Sequence, residues 1–197
     1  MRIMIAVMVA TLVCPMMAFA EELSDPMAVL KQNTEKIRGI VLKSETEEEM
    51  RENVKGLMEG FINFDEFGKL SLGKRWETLK EEQKKVYLVE FRGLLQRTYL
   101  RRFKPGKPFT VTYRSEVRYN KGKDRGEIKT TINSGDVEAD VDYRFHKVET
   151  WQVYDLIVDD VSVMRNYRKS FIRVLTSDGF EALIEKMKKK TSEDVDE

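Results

Sequence analysis

Apolar side chains in the first part of the chain recur every three to four residues, which is the spacing of amphipathic helices. Asp25 followed by Pro26 is typical of a helix start, and Thr46 with Glu49 forms a capping box ahead of the next helical pattern. The sequence therefore predicts two amphipathic helices. The apolar positions that share their faces are Leu30, Ile37, Val41, Met50, Val54, Leu57, Met58 and Phe61.

The same period continues through two more helices. Asp65 is expected to cap a short helix that ends at Gly73, and Thr78 with Glu81 is a second capping box, which opens the longest helix, to about Arg102. This long helix has an apolar side and a basic side. The apolar positions are Val86, Phe91, Leu94, Leu95, Thr98 and Tyr99, and the basic ones are Lys84, Lys85, Arg97, Arg101 and Arg102.

The period changes to two after Lys104, which is typical of strands that bury one face. Four strands are predicted, at 109–119, 127–133, 137–145 and 151–158, and their short connections indicate an antiparallel meander. Phe109, Val111, Tyr113, Val117 and Tyr119 share one face of the first strand. Val137, Ala139, Val141, Tyr143 and Phe145 share one face of the third.

The predicted fold class is α+β. A four-stranded, twisted antiparallel sheet, similar to NTF2 and cystatin folds, carries helices on its apolar face. An N-terminal helical sub-domain spans about residues 25–104 and the sheet about 107–160. Helical period returns over about 164–190, and a polar tail occupies 191–197. Together, residues 21–190 are expected to form one domain.

The fourth strand, WQVYDLIV, is apolar on both faces if it alternates regularly. Trp151, Val153 and Ile157 would then share one face, with Tyr154, Leu156 and Val158 on the other. Such a strand is either the central strand with helices over part of its second face, or the wall of a cavity.

Residues 1–20 have the pattern of a secretory signal: Arg2, an apolar run from Ile3 to Val13, and Ala18-Phe19-Ala20 before Glu21. The run is too short to span a bilayer. Removing it leaves 177 of 197 residues without a cysteine, since Cys14 is the only one. We therefore expect an exported, periplasmic domain that relies on core burial rather than disulfides.

Charge and composition exclude several classes of function. The predicted mature chain has 34 basic and 34 acidic side chains, because Arg2 belongs to the signal. This balance argues against a nucleic-acid partner. No metal site, cofactor or catalytic residue is predicted: His146 is the single histidine, on the polar face of its strand, and the acidic clusters at 47–49 and 159–160 fit a helix start and a turn.

An enzyme on such a curved sheet remains an alternative, with an Asp base and a Tyr oxyanion donor as in ketosteroid isomerases. Asp155, Tyr143 and Tyr154 are the candidates, although nothing in their spacing selects that role.

The excess of aromatic side chains permits a second interpretation. Each aromatic residue fits an ordinary core, but together they permit a cavity for an apolar ligand.

Several motifs resemble one family. YDLIVDDVSVMRNYRKSF (154–171) is similar to the strand and "NYR--F" helix of the periplasmic phospholipid-binding proteins of the MlaC type, also called toluene-tolerance auxiliary transport proteins. FDEFGKLSLGKRW (64–76), FRGLLQRTYLRRF (91–103) and Gly179-Phe180 follow the family's order. The sequence departs from it at Asp160, where glycine is common, at Met164 and at Phe67-Gly68.

The resemblance implies a monomeric carrier that holds phospholipid as cargo in a deep apolar pocket. Its implied partners are an outer-membrane lipoprotein–porin complex and an inner-membrane ABC transporter, reached through an MCE-domain subunit, in a system that maintains outer-membrane lipid asymmetry. Another apolar lipid, such as a hopanoid, is the alternative cargo. The residues expected to line the pocket are Phe91, Leu95, Tyr99, Phe109, Val111, Tyr113, Val141, Tyr143, Trp151, Val153, Tyr167 and Phe171.

Arg97, Arg101 and Arg102 form a basic face that either contacts a partner or a phosphate head group, or is simply a solvated helix face.

Overall fold

The chain folds as an α+β protein in the computed structural model, which describes residues 25–135 and 137–193. The predicted signal and residues 194–197 lie outside the described residues. Six α-helices are described: α1 Pro26–Lys43, α2 Glu47–Phe61, α3 Phe64–Leu72, α4 Glu81–Leu100, α5 Val163–Ser177 and α6 Gly179–Glu193, with a 3₁₀ helix at Gly73–Thr78 between α3 and α4. The α+β prediction is confirmed.

The antiparallel sheet has six strands rather than four: β1 Thr110–Tyr113, β2 Arg118–Tyr119, β3 Arg125–Ser134, β4 Val137–Lys147, β5 Trp151–Val158 and β6 Val161–Ser162. The strand order is β1-β3-β4-β5-β6, and β2 pairs with the same edge of β3 as β1. The predicted first strand is therefore interrupted at residues 114–117, and the short strand β6 was not predicted.

The predicted helix starts are right at two positions and wrong at two. Asp25 precedes Pro26 at the start of α1, and the Thr46 hydroxyl accepts a hydrogen bond from the Glu49 N–H. However, Asn63 rather than Asp65 caps α3, since its side chain accepts from the Glu66 N–H. Lys80 occupies the N-cap of α4, where its own N–H donates to the Gln83 side chain.

Two apolar cores lie on the helix side of the sheet. The smaller one lies beneath α1, where Val29 and Leu30 pack with Phe61 against the sheet residues Ile128, Phe145, Trp151 and Val153. The larger one lies among all six helices, with Val41 at the end of α1 among its members. Its bulkiest members, with under 2 % exposure, include Phe67, Tyr87, Phe91, Leu94, Leu95, Leu183 and Met187.

A β-bulge at Tyr154 determines which side chains of β5 face the helices. Phe145 pairs with Val153, but the next residue back along β4, Arg144, pairs with Asp155. Tyr154 is therefore an extra residue, and the alternation changes phase there. Leu156 and Val158 consequently share the inner face with Trp151 and Val153, and the predicted assignment of Leu156 and Val158 to the opposite face is wrong.

Candidate functional site

The inner, helix-facing side of the sheet divides into a fully covered half and a partly covered half. The covered half lies beneath α1, where Ile128, Phe145 and Val153 have no exposed surface. Toward the other end of the same strands the inner side chains keep accessible surface, although most of them also contact one of the two cores. These are Val111, Ile132, Val141, Tyr143, Leu156 and Val158, and we refer to them as the inner patch.

The aromatic side chains that remain half-buried in the helical layer include Tyr99 near the end of α4, Phe103 just after it, and Tyr167 on α5. Burial raises the pKa of the Tyr99 hydroxyl, and Tyr167 and the Asp155 carboxylate raise it further. Tyr99, Phe103 and Tyr167 all pack against the larger core.

Tyr143 shows the character of the inner patch most clearly. Its ring packs against those of Phe61 and Phe145, with centroids 6.4 and 6.5 Å away, and burial raises the pKa of its hydroxyl. It nevertheless keeps accessible surface. An aromatic side chain that packs against core rings and still keeps accessible surface indicates an inner face that the helices do not cover completely.

Behind Tyr167 the aromatic rings form a continuous wall. The ring of Tyr167 lies 5.7 Å from that of Phe91 and 5.2 Å from that of Phe171, and Phe171 meets Tyr87 edge to face at 6.0 Å. The Tyr87 hydroxyl lies 2.7 Å from the Ser71 hydroxyl. Phe91 and Phe171 are fully or nearly fully buried, whereas Tyr167 forms the edge of this wall that keeps accessible surface.

The structure divides the residues predicted for the pocket among these regions. Val111, Val141 and Tyr143 belong to the inner patch, and Tyr99 and Tyr167 are half-buried in the helical layer. Phe109 is buried in the larger core, with its ring tilted against that of Phe103 at a centroid distance of 5.8 Å. Tyr113 is half-buried beside the smaller core. The remaining predicted residues are buried in the cores: Phe91, Leu95 and Phe171 in the larger one, and Trp151 and Val153 in the smaller one.

Sequence reasoning missed four residues that lie among these half-buried side chains: Ile132, Leu156, Val158 and Phe103. The signal for two of them is present in β5, where Trp151 and Val153 are followed by Leu156 and Val158 after a three-residue step. Such a step is the phase change that a bulge produces.

Asp155 joins the sheet to α5 and is fully buried. Its carboxylate accepts hydrogen bonds from the Arg144 guanidinium at 3.1 Å, the Ser162 hydroxyl at 2.7 Å and the Met164 N–H at 2.9 Å. Three donors therefore hold this carboxylate at the beginning of α5. Their combined effect is to fix where that helix leaves the sheet.

The three residues considered for an isomerase-type site do not converge. Tyr143 lies on the inner face, whereas Asp155 and Arg144 lie on the outer face. Tyr154 is also on the outer side, where its ring lies 4.6 Å below the Arg125 guanidinium and meets the His146 ring edge to face. This arrangement gives Asp155 a structural role.

The outer face of the sheet carries charged side chains that pair across the strands. Arg144 bonds to Glu127 at 3.0 Å, Arg118 bonds to the same carboxylate, and Arg114 bonds to Asp140 and Asp142. Arg125 reaches Glu66 on α3 at 3.2 Å. Within residues 25–135 and 137–193, no group of three or more His, Cys, Asp or Glu side chains could hold a metal ion.

A groove of about 1110 Å³ lies between α1 and α2, apart from the inner patch. Most of its lining side chains are polar or charged, among them Lys31, Glu35, Lys36, Lys43 and Glu49, and it is open to solvent. Among the helices of the described residues, none is long and apolar enough to cross a membrane.

An α+β fold with an incompletely covered apolar inner face defines the structural class of the protein. The model of the MlaC protein family matches residues 27–189, so the chain belongs to the MlaC family, and the resemblance inferred from its motifs is confirmed. No curated protein matches the sequence.

A solved structure has the same fold. It is that of a phospholipid-binding protein from Ralstonia solanacearum, determined in complex with a phospholipid. The two chains align with a TM-score of 0.78 and 19 % identity, over 87 % of this chain and 99 % of that one. At this identity the likeness establishes the fold.

Proposed function

We propose that this protein is a carrier that binds a phospholipid, with the acyl chains against the inner patch, and performs no catalysis. Membership of the MlaC family supports this proposal, and so does the phospholipid bound to the neighbour from Ralstonia solanacearum. The observation that carries it is the inner patch itself, a set of apolar side chains that face the helices and still keep accessible surface.

The physical reason for an interior site is the size of the hydrophobic free energy. Two acyl chains with about 30 methylenes together carry on the order of 25 kcal/mol of transfer free energy, at about 0.8 kcal/mol per methylene. A shallow surface groove would leave much of that area in water. The chains must therefore enter between the sheet and α4 and α5, where Tyr99 and Tyr167 lie.

Loading requires that α4 and α5 move apart from the sheet, since both helices contribute to the larger core. Two contacts set how α5 moves. Asp155 holds its first turn, and Arg168 in its middle donates two hydrogen bonds to the Leu70 carbonyl at the end of α3. We infer that α5 and α3 move together and that Tyr167 is displaced when lipid enters.

In this proposal the phospholipid head group lies at the end of α4. The Arg102 guanidinium lies 5.7 Å from the centre of the Tyr99 ring, and Tyr99 is one of the half-buried residues. Arg101 and Arg97 lie at the same end of the helix. A guanidinium group binds phosphate through paired hydrogen bonds, so this group fits a phosphodiester that remains near solvent.

The wider role in this proposal is transport across the periplasm. After export by the signal at residues 1–20, the monomeric carrier would shuttle lipid between an outer-membrane lipoprotein–porin complex and the MCE-domain subunit of an inner-membrane ABC transporter. Such exchange would maintain outer-membrane lipid asymmetry. Enclosed acyl chains are the property that lets a protein make this crossing.

The test uses two neighbouring residues of β5 that point in opposite directions. Val158 lies opposite Val141 on the inner face, and Ile157 lies opposite Asp142 on the outer face; both are half-buried. Val158→Gln places an amide against the acyl chains, and an unsatisfied buried amide costs about 1–3 kcal/mol. We therefore expect the Val158→Gln protein to retain at least about fivefold less phospholipid.

The matched control is Ile157→Gln, which makes a similar change on the other face and should retain lipid like the unmodified protein. Both variants are loaded from vesicles, and the bound phospholipid is extracted and counted. Equal lipid retention by the two folded variants would show that the inner patch does not hold the chains.

A further inference from the structure

A groove between α5 and α6 carries a concentration of positive charge that the proposed pocket does not use. It has a volume of about 500 Å³. Its cationic side chains come from both helices, and none of the described residues that line it is acidic. The cations are Lys169 and Arg173 on α5 and Lys186, Lys189 and Lys190 on α6.

This charge is local, because the predicted mature chain as a whole has as many acidic as basic side chains. Lys186 is paired with Asp178 at 3.1 Å, outside the groove lining. Lys169 and Arg173 are exposed and form no salt bridge within the part of the chain that the structure describes. They therefore leave two uncompensated positive charges four residues apart on one face of α5.

The floor of the groove is apolar. Leu94, Phe171, Val174, Leu183 and Met187 form it, and Tyr167 also lines the groove. Tyr167 and Phe171 belong at the same time to the aromatic wall behind the proposed pocket. Tyr167 and Phe171 therefore border both the groove and the proposed lipid site.

We propose that the α5–α6 groove is a docking surface for an anionic phospholipid bilayer. The proposal rests on the carrier function proposed above and adds to it a direct contact with the membrane. Several cations gathered on one surface are the feature that an anionic membrane attracts, at about 1 kcal/mol for each Lys or Arg near the lipid surface. Lysine suits this contact, since it acts as a mobile point charge on a flexible stem.

A membrane explains these features better than an acidic protein does. The cations are exposed ends of long side chains and include only one arginine, Arg173, so the groove offers a single paired donor for a carboxylate. A bilayer surface requires no such fixed geometry. It attracts each cation by its surface potential, within about a Debye length.

The proposal is tested by flotation of the exported protein with two kinds of vesicle. One contains phosphatidylcholine alone, and the other contains phosphatidylcholine with about a third phosphatidylglycerol. We expect binding to the anionic vesicles only, weakening as salt is raised. The double variant Lys169→Gln/Arg173→Gln should bind them about thirtyfold more weakly, at about a factor of five for each basic residue.

The matched control is Lys85→Gln/Lys121→Gln, which removes two exposed charges from other surfaces and should bind like the unmodified protein. Equal binding by the two double variants would overturn the proposal, as would equal binding to both kinds of vesicle or to neither. Binding to polyglutamate without binding to anionic vesicles would assign the groove to an acidic protein instead.

The amount of lipid bound to the Lys169→Gln/Arg173→Gln protein distinguishes a failure of the docking proposal from a failure of the carrier function. The variant should still contain extracted phospholipid after loading at high vesicle concentration. Unmodified protein that docks on anionic vesicles but contains no lipid would instead contradict the proposed pocket.

Discussion

Leu156 stands opposite Tyr143 across β4 and β5, and both side chains point toward the helices. This pairing exists because Tyr154 is an extra residue in β5, which changes the phase of the strand. The bulge thus adds Leu156 and Val158 to the inner patch and leaves Asp155 on the outer face, where it meets Arg144. The extra residue Tyr154 therefore determines both which side chains of β5 join the inner patch and where Asp155 meets the start of α5.

Replacement of Asp155 by asparagine should destabilise the protein strongly. Asparagine keeps one acceptor oxygen but loses the charge that faces Arg144 and one of the acceptors used by Ser162 and Met164. The expected loss in free energy of unfolding is about 2–4 kcal/mol, measured by urea denaturation.

Asp140→Asn is the control for this change. Asp140 is a half-buried partner of Arg114 on the outer face, and its loss should cost about 1 kcal/mol or less. If the two variants unfold at the same urea concentration, Asp155 does not anchor α5 in the way described.

Replacement of Asp160 by glycine should stabilise the protein. Asp160 has a φ of 64° in the turn between β5 and β6, a left-handed conformation that is costly for residues with a Cβ. Glycine removes this strain, but its greater conformational entropy in the unfolded chain offsets part of the benefit. The expected net gain in free energy of unfolding is about 0.5–1 kcal/mol.

The reverse change tests the same principle elsewhere. Gly135 has a φ of 60° with no atom near the position of a Cβ, so Gly135→Ala should cost about 1 kcal/mol through backbone strain alone. A thermal melt in which Asp160→Gly lowers the midpoint would argue that the Asp160 side chain makes a stabilising contact.

Glu127 should contribute to the loss of stability in acid. Burial raises its pKa, but hydrogen bonds and charges from Arg144 and Arg118 outweigh this, and the pKa is lowered below 4.5. The folded state therefore binds this proton less readily than the unfolded state does. The stability that Glu127 provides is present above about pH 4.5 and is lost as the pH falls through the lowered pKa.

Glu127→Gln should accordingly be less stable at pH 7 and lose less stability than the unmodified protein between about pH 5 and pH 3. Glu116→Gln, at an exposed position on the neighbouring edge of the sheet, should leave the pH dependence unchanged. Identical slopes for all three proteins in urea melts across this range would contradict the prediction.

The period of the apolar residues was sufficient to predict most elements of this fold. Leu30, Val41 and Met58 lie in helical cores as their spacing indicates. The capping of α4 was not predictable in the same way, because the Lys80 N–H bonds to Gln83, while Thr78, the expected cap, ends the preceding 3₁₀ helix.

The site was harder to predict than the fold, for two physical reasons. A period of two assigns a side chain to a face of the sheet, but it does not tell whether helices cover that position; Val153 and Val141 share a face, yet Val153 is buried and Val141 is half-buried. A bulge also breaks the alternation, so Leu156 and Val158 were placed on the wrong face.

The most direct test of the central claim is native mass spectrometry of the protein purified from the periplasm, followed by extraction and analysis of the bound lipid. We predict about one phospholipid per chain, with the acyl chains protected from phospholipase until the protein is unfolded. A protein that is empty on purification, and stays empty after incubation with phospholipid vesicles, would show that the inner patch is an incompletely packed core and not a lipid site.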